Sequence, residues 1–240
     1  MDTPYRPRGA NALMDLIGGR LFGGSCYLCR GDSEGLLCAP CVAELPVLER
    51  PRCPQCALPT LGGDRCGRCL AEAPAFDATV ATYAYAFAAD VLVQALKFRG
   101  ELALAPMLAR NLHAELRRGG EAKVDLVVPV PLHERRLRER GYNQSMEIAR
   151  ELGSLLNVPV VPDLCIRVRD TAAQLGLSVK ERRENVRGAF SCRREIEGKR
   201  LAVVDDVMTT GATLHELAAT LKKFGAANVV NWVVARTPVS

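Results

Sequence analysis

Val203-Val204-Asp205-Asp206-Val207-Met208-Thr209-Thr210-Gly211-Ala212-Thr213 is the stretch on which the fold turns. It continues the aliphatic run Arg200-Leu201-Ala202, which suits a buried strand, and it leads into residues of helical period from Leu214 to Phe224. A strand that passes through a tight polar loop into a helix puts that loop at its carboxyl end, where open α/β sheets bind ligands. Backbone amides from Met208 to Thr213, the hydroxyls of Thr209, Thr210 and Thr213, and the positive end of the helix dipole together suit one phosphate. Gly211 lets the backbone approach it closely. Two carboxylates beside a phosphate repel it unless they serve something else, and neighbours on an extended strand point to opposite sides. A sugar with vicinal hydroxyls, or a magnesium ion between oxygens, accounts for Asp205 and Asp206. Phosphate, diol and metal at one loop describe a ribose 5-phosphate site. A strand end of the Walker B kind needs a glycine-rich Lys-Ser/Thr loop elsewhere, which this sequence lacks.

Outward from that loop, apolar runs alternate with segments of helical period. Strands are expected at Ala78–Tyr85, Val124–Val130, Val158–Val161, Leu201–Val204 and Val229–Ala235, and helices at Ala89–Phe98, Leu102–Leu116, Gln144–Leu156 and Leu214–Phe224, with Gly225 as a C-cap. This is the pattern of an α/β domain whose sheet is mostly parallel and flanked by helices. The run Asp125-Leu126-Val127-Val128-Pro129-Val130-Pro131-Leu132 is a second buried strand ending in a turn, and Arg135, Arg136, Arg138 and Arg140 follow it. Arginine forks match phosphate oxygens, so the cluster suits a polyanion, while a solvated basic turn is the plain alternative. Asn143 is placed to cap the helix that begins at Gln144.

Ten cysteines suggest a disulfide scaffold until their positions are read. Eight fall in two quartets, Cys26-x2-Cys29-x8-Cys38-x2-Cys41 and Cys53-x2-Cys56-x9-Cys66-x2-Cys69. Two thiolates spaced this way grip one metal from a tight turn, and a second such turn completes a tetrahedral four-sulfur site. Two zinc ions are expected, both structural because all-cysteine ligation leaves no open position. Pairing within each quartet is the simplest assumption, with pairing across quartets as the alternative. Residues 26–73 are otherwise rich in Pro and Gly and poor in large aliphatics, so metal binding would supply folding free energy that the core lacks. Cys165 and Cys192 lie elsewhere and are expected as buried free thiols.

Composition sets wide bounds. The chain has 240 residues, 48% hydrophobic and 25% charged, enough for one large domain and a small one. Its net charge of +5 permits an anionic partner without demanding one. The expected division is a leader over 1–25, a double zinc ribbon over 26–73, a linker at Ala73-Pro74-Ala75 and an α/β domain over 76–240. Ala12 to Phe22 reads as a short amphipathic helix, and Asp15 and Arg20 interrupt it too soon for a signal peptide. No run approaches the roughly 18 apolar residues of a membrane span. A cytoplasmic protein is expected.

The Asp205–Thr213 string resembles the phosphoribosyl pyrophosphate signature of type I phosphoribosyltransferases. That resemblance implies that Asp205 and Asp206 hold the ribose hydroxyls and serve any catalysis. Val207, Met208, Thr209, Thr210, Gly211, Ala212 and Thr213 would hold the 5-phosphate, with magnesium accompanying the ligand. It also implies that the turn at Val130 and Pro131, with Arg135, Arg138, Arg140 and Arg182, meets the pyrophosphate. The polar stretch Arg167–Gln174 and Glu181–Arg187 resembles the mobile hood that closes over pyrophosphate, the alternative being a solvated surface helix. Read in order, the cysteine quartets, Lys97-Phe98-Arg99-Gly100, Pro129-Val130-Pro131-Leu132, Arg138-Glu139-Arg140-Gly141-Tyr142-Asn143-Gln144, Thr171-Ala172-Ala173-Gln174 and the acid pair resemble the ComF family from Cys26 to Pro238. The family resemblance implies a bacterial protein of natural competence, acting in uptake of transforming DNA as single strands beside a helicase-like partner and other competence factors. Two functions stay open. One is a phosphoribosyltransferase acting on an unknown acceptor, for which no base stands out. The other is a module binding single-stranded DNA or docking a partner, with the phosphoribosyl site as a sensor. Tyr27, the one aromatic residue of the ribbon, gives little for bases to stack on.

Overall fold

The computed structural model describes residues 24–120, 123–170 and 179–238. The cysteine-rich segment builds the same turn twice. Cys26 N–H donates to the Gly31 carbonyl at 2.7 Å and Cys53 N–H to the Leu58 carbonyl at 2.7 Å. The residue four positions after each, Arg30 (φ 65°) and Ala57 (φ 59°), takes the left-handed conformation rare outside glycine. A two-residue ladder joins β1 (Gly24–Ser25) to β2 (Asp32–Ser33) antiparallel. The second cysteine pair of each quartet begins a short helix: Cys38 stands at the N-cap of α1 (Ala39–Ala43), and Cys66 at that of α2 (Gly67–Ala71). The repeat in cysteine spacing is thus a repeat of backbone.

The remainder runs β3 (Ala78–Ala84), α3 (Ala89–Phe98), α4 (Leu104–Arg118), β4 (Leu126–Pro129), α5 (Glu134–Arg140), α6 (Gln144–Leu156), β5 (Cys165–Arg167), α7 (Val179–Val186), β6 (Phe190–Cys192), β7 (Arg200–Met208), α8 (Ala212–Lys223) and β8 (Asn228–Arg236). Four strands form a sheet of order β3-β8-β7-β4 in which every neighbour is parallel. Alternate residues of β7 feed two cores: Ala202 and Val204 pack towards α3, α4 and α6, and Leu201 and Val203 towards α8. Burial on both faces explains why the strand reads as an unbroken aliphatic run.

The helices Ala89–Phe98 and Gln144–Leu156 stand where periodicity put them. Val158–Val161 does not form the expected strand. It makes one parallel bridge, Val127 with Val160, because Pro159 has no N–H to offer and Pro162 ends the pairing. Residues 134–140 form a helix that the sequence reading did not assign, because six of the seven side chains in Glu-Arg-Arg-Leu-Arg-Glu-Arg are charged and leave no apolar period. Cys165 and Cys192 are not free thiols. They face each other in the antiparallel β5–β6 pair, Cα atoms 4.2 Å apart, and are joined as a disulfide. The leader helix at Ala12–Phe22 and the motif Thr171–Gln174 lie outside the described residues.

The ribbon grips the open edge of the sheet. Leu48 N–H donates to Thr82 O at 2.9 Å, Ala84 N–H to Pro46 O at 2.8 Å and Thr79 N–H to Pro54 O at 3.0 Å, so the chain from Pro46 to Pro54 runs along β3 and covers its unpaired groups. The quartets then fall on opposite faces. Cys26, Leu37 and Leu45 join the core under α3 and α4, while Cys53, Cys56, Ala57, Leu58 and Cys69 join the core that holds Phe76 and α8. Glu115 of α4, 4% exposed, pairs with Arg50 at 2.6 Å and with Arg52, locking the strap in place.

Candidate functional site

At the carboxyl end of β7, Asp205 and Asp206 are both buried. They face different partners, as expected for neighbours on an extended strand. Asp205 Oδ1 accepts from Ser145 Oγ at 3.0 Å and from the Asp206 backbone N–H at 3.0 Å. Asp206 Oδ2 lies 3.0 Å from Lys97 Nζ. Burial, and then the charge of Asp206, push the Asp205 carboxyl up to about 7. Burial also acts upward on Asp206, but the Lys97 ammonium outweighs it and holds this carboxyl below its ordinary range. Lys97 loses from burial and gains more from the two acids, which keeps it protonated.

The motif Arg140-Gly141-Tyr142-Asn143-Gln144-Ser145 is a set of anchors. Gly141 closes α5 with φ 83°, and Asn143 caps α6 through Oδ1, accepting from Ser145 N–H at 3.0 Å and Met146 N–H at 3.4 Å. The Asn143 amide also donates to Val130 O at 3.0 Å, fixing the turn after β4 to the start of α6. Tyr142 Oη donates to Leu96 O, and Arg140 donates to the side chain of buried Gln144. Each side chain brings the turn, α3 or the acid pair towards the same strand end.

Beyond the acids, Gly211 (φ 84°) stands at the N-cap of α8, and a Cβ there would come within 2.7 Å of Met208 Cε. Thr210 Oγ1 accepts from Ala212 N–H at 3.3 Å. The loop from Met208 to Thr213 therefore leads straight into the amino end of a twelve-residue helix, a geometry suited to an anion. Arg236, 2% exposed, braces it from behind by donating to Met208 O at 2.9 Å and to Thr209 O.

The cations divide into two groups. Arg140 lies near enough to Asp206 to feel its charge and stacks over Phe98 at 5.4 Å; Arg167 is likewise influenced by Asp205. Arg135 and Arg138 stand on the exposed side of α5, Arg135 with Glu139 at 2.8 Å and Asp170 at 3.2 Å, Arg138 with Glu134 at 3.7 Å. The side chain of Arg182, on α7, lies outside the described residues. Sequence reasoning assigned no role to Lys97, Ser145 or Arg236. Lys97 was visible as part of a motif, but its pairing with Asp206 depends on how α3 docks, which no local pattern reports.

The sulfurs of Cys26, Cys29, Cys38 and Cys41 lie within 4.8 Å of one another, as do those of Cys53, Cys56, Cys66 and Cys69. Cys29 and Cys38 sulfurs are 3.6 Å apart and those of Cys56 and Cys66 3.5 Å. Four thiolates at about 2.3 Å from one zinc stand about 3.8 Å apart, so both quartets fit the ion. Backbone N–H groups of Cys29 and Cys38 aim at the Cys26 thiol and lower it to about 6. At Cys53 burial acts upward, but backbone N–H groups of Cys66, Cys56 and Gln55 prevail and lower it to about 7. Pairing is within each quartet, and both zinc sites are closed and structural.

A parallel sheet with an acid pair and a Thr/Gly loop at its carboxyl end, gripped at its edge by two four-cysteine centres, defines the class: a double zinc ribbon joined to a phosphoribosyltransferase domain. The sequence matches the family described as "Double zinc ribbon domain" over residues 18–70 and that described as "Phosphoribosyl transferase domain" over residues 105–239. The chain belongs to the ComF family. It is 34% identical over 222 residues to "Competence protein F" of Haemophilus influenzae, covering 88% of this chain and 96% of that protein. It is 35% identical over 222 residues to "DNA utilization protein YhgH" of Escherichia coli strain K12, covering 89% of this chain and 97% of that protein. Among solved structures, a purine phosphoribosyltransferase from Pyrococcus horikoshii aligns over 55% of this chain and 82% of its own, at 20% identity and a TM-score of 0.33.

Proposed function

We propose that the chain binds phosphoribosyl pyrophosphate at Asp205–Thr213 and that this binding serves the handling of DNA during competence, in keeping with the names of its relatives. The observation that carries the reading is the buried pair Asp205–Asp206 at the end of a central strand, running into a loop capped by a helix N-terminus. In this reading Asp205 and Asp206 accept from the two ribose hydroxyls. The amides and hydroxyls of Val207 to Thr213 hold the 5-phosphate. Val130, Pro131, Arg140, Arg135, Arg138 and Arg182 border the pyrophosphate, and Lys97 keeps Asp206 ionised. Magnesium would accompany the ligand and offset its phosphate charge.

If transfer occurs, the bond from the anomeric carbon to pyrophosphate breaks as the acceptor's bond forms. Arginine charge then stabilises the departing pyrophosphate. The polar stretches Arg167–Gln174 and Glu181–Arg187, part of which lies outside the described residues, are our candidates for a hood that covers it and excludes water. The residue ranges 1–25, 26–73 and 76–240 remain our division of leader, ribbon and catalytic-type domain, and a cytoplasmic setting fits a chain with no membrane-crossing helix among its described residues. The second reading is a sensor that binds single-stranded DNA or docks a competence helicase, and it follows from a sequence in which no residue stands out as an acceptor-specific base.

Two assays separate the readings. Pyrophosphate release from phosphoribosyl pyrophosphate over a panel of acceptors is expected to exceed background if the chain is a transferase; ligand binding without release for every acceptor leaves the sensor. Filter binding of single-stranded DNA is expected to weaken steeply with salt if the strand is held by its phosphates. Negligible affinity at low salt removes the DNA branch.

A further inference from the structure

Arg236 ends β8 and is the most deeply buried cation among the described residues, yet it meets no carboxylate there. Its guanidinium is spent on backbone carbonyls from two distant places. Nε donates to Cys56 O at 2.8 Å, within the second cysteine quartet. Nη1 donates to Met208 O at 2.9 Å and to Thr209 O, which open the phosphate loop, and to Thr237 O at 2.9 Å. A buried guanidinium without counter-charge is costly. Four thiolates around one zinc are net negative, and Arg236 is tied to that quartet through the backbone carbonyl of Cys56, whose thiolate charge favours the guanidinium.

A second chain of contacts follows the same route. Asn231 donates to Thr79 Oγ1 at 3.1 Å, Thr79 Oγ1 donates to Gln55 O at 2.7 Å, and Gln55 Nε2 donates to Phe76 O at 3.1 Å. The Phe76 ring in turn lies against Gly211 of the loop, where a Cβ would stand 3.7 Å from Phe76 Cζ. The first quartet packs in the opposite core, under α3 and α4, and no hydrogen bond among the described residues joins it to the loop.

We propose that Arg236 is a positioning residue that couples the second zinc centre to the phosphate loop. Zinc at Cys53, Cys56, Cys66 and Cys69 and a ligand in the loop then stabilise each other, while the first centre stays uncoupled. The proposal rests on the phosphoribosyl pyrophosphate reading and extends it to regulation of the loop by the ribbon. Coupling of this kind is reciprocal: if zinc improves ligand affinity, ligand must hold zinc more tightly by the same factor.

The test is zinc transfer from the full zinc-loaded chain to a chromogenic chelator, with and without saturating phosphoribosyl pyrophosphate and magnesium, after calorimetry has established whether that ligand binds. The expected result is that one of the two zinc ions leaves about fivefold or more slowly with ligand present, and the other at an unchanged rate. A Cys38→Ser chain, with its first quartet broken, should retain the ligand-sensitive phase. Arg236→Lys keeps the charge but cannot span both partners; it should retain both zinc ions, lose most of the ligand effect and bind ligand more weakly. The wild-type comparison needs no variant, so a misfolded substitution leaves the test standing. Bound ligand that slows both ions equally, or neither, overturns the coupling alone. Absence of ligand binding overturns the phosphoribosyl reading and the coupling with it.

Discussion

Asp205 and Asp206 are neighbours on one strand end with opposite electrostatic settings. Asp205, raised to about 7, holds its proton in the folded chain at pH values where an unfolded aspartate has lost it. Its contribution to stability is therefore full below the ordinary aspartate range and declines as pH rises towards 7. A diol needs the carboxylate as acceptor, so ligand affinity should rise between pH 6 and pH 8; calorimetry giving equal affinities at both would contradict that role. Lys97→Met leaves Asp206 without its cation. With Lys97 partly open to solvent, a loss of about 2 kcal/mol is expected, seen as a melting temperature lower by about 4–8 °C, together with weaker ligand binding. An unchanged melt would mean that the 3.0 Å pair contributes nothing. The acids and the loop were legible from sequence because their order along the chain is itself the signal. Lys97, Ser145 and Arg236 were not, because their partners lie on other elements: Ser145 reaches Asp205 across 60 residues and Arg236 reaches Cys56 across 180.

Among elements, periodicity located α3 and α6, whose apolar faces are regular, and missed α5, β5 and β6. The first has a single aliphatic residue, and the strands are three residues each, too short for alternation to register. The join between α5 and α6 carries a testable load. Asn143→Ala removes the cap of α6 and the tie to Val130, and should cost about 1–2 kcal/mol by denaturant unfolding. Because Ser145 and Val130 both shift with that cap, ligand affinity should fall as well; a destabilised chain with undiminished affinity would separate the cap from the site. Gly211→Ala sets a Cβ against Met208 and forces alanine into a left-handed φ, a strain of about 1–2 kcal/mol. The Met208 side chain can move aside, but the backbone strain stays, so binding should suffer more than folding. A titration showing wild-type affinity would free the loop from its glycine.

Taken whole, the molecule is less divisible than its sequence. Composition separates a cysteine-rich segment from an α/β segment, yet the quartets contribute Cys26 to one core of the sheet and Cys53 to the other, and Arg50 reaches Glu115 across 65 residues. Contacts that span such distances leave no mark in local composition, which is why the fold class was readable and the straddling of the β3 edge was not. Zinc removal should accordingly lower the main thermal transition of the full chain; an unshifted main transition preceded by a separate early one would show the ribbon to be independent. The central claim concerns the loop at Asp205–Thr213. Its most direct test is calorimetric titration of the zinc-loaded chain with phosphoribosyl pyrophosphate and magnesium, beside the same titration of the Asp205→Asn, Asp206→Asn double variant. Saturable binding of one ligand per chain, abolished in a variant that keeps both zinc ions and its fold, is the expected result. Undiminished binding by the variant, or none by the wild type, would contradict the account.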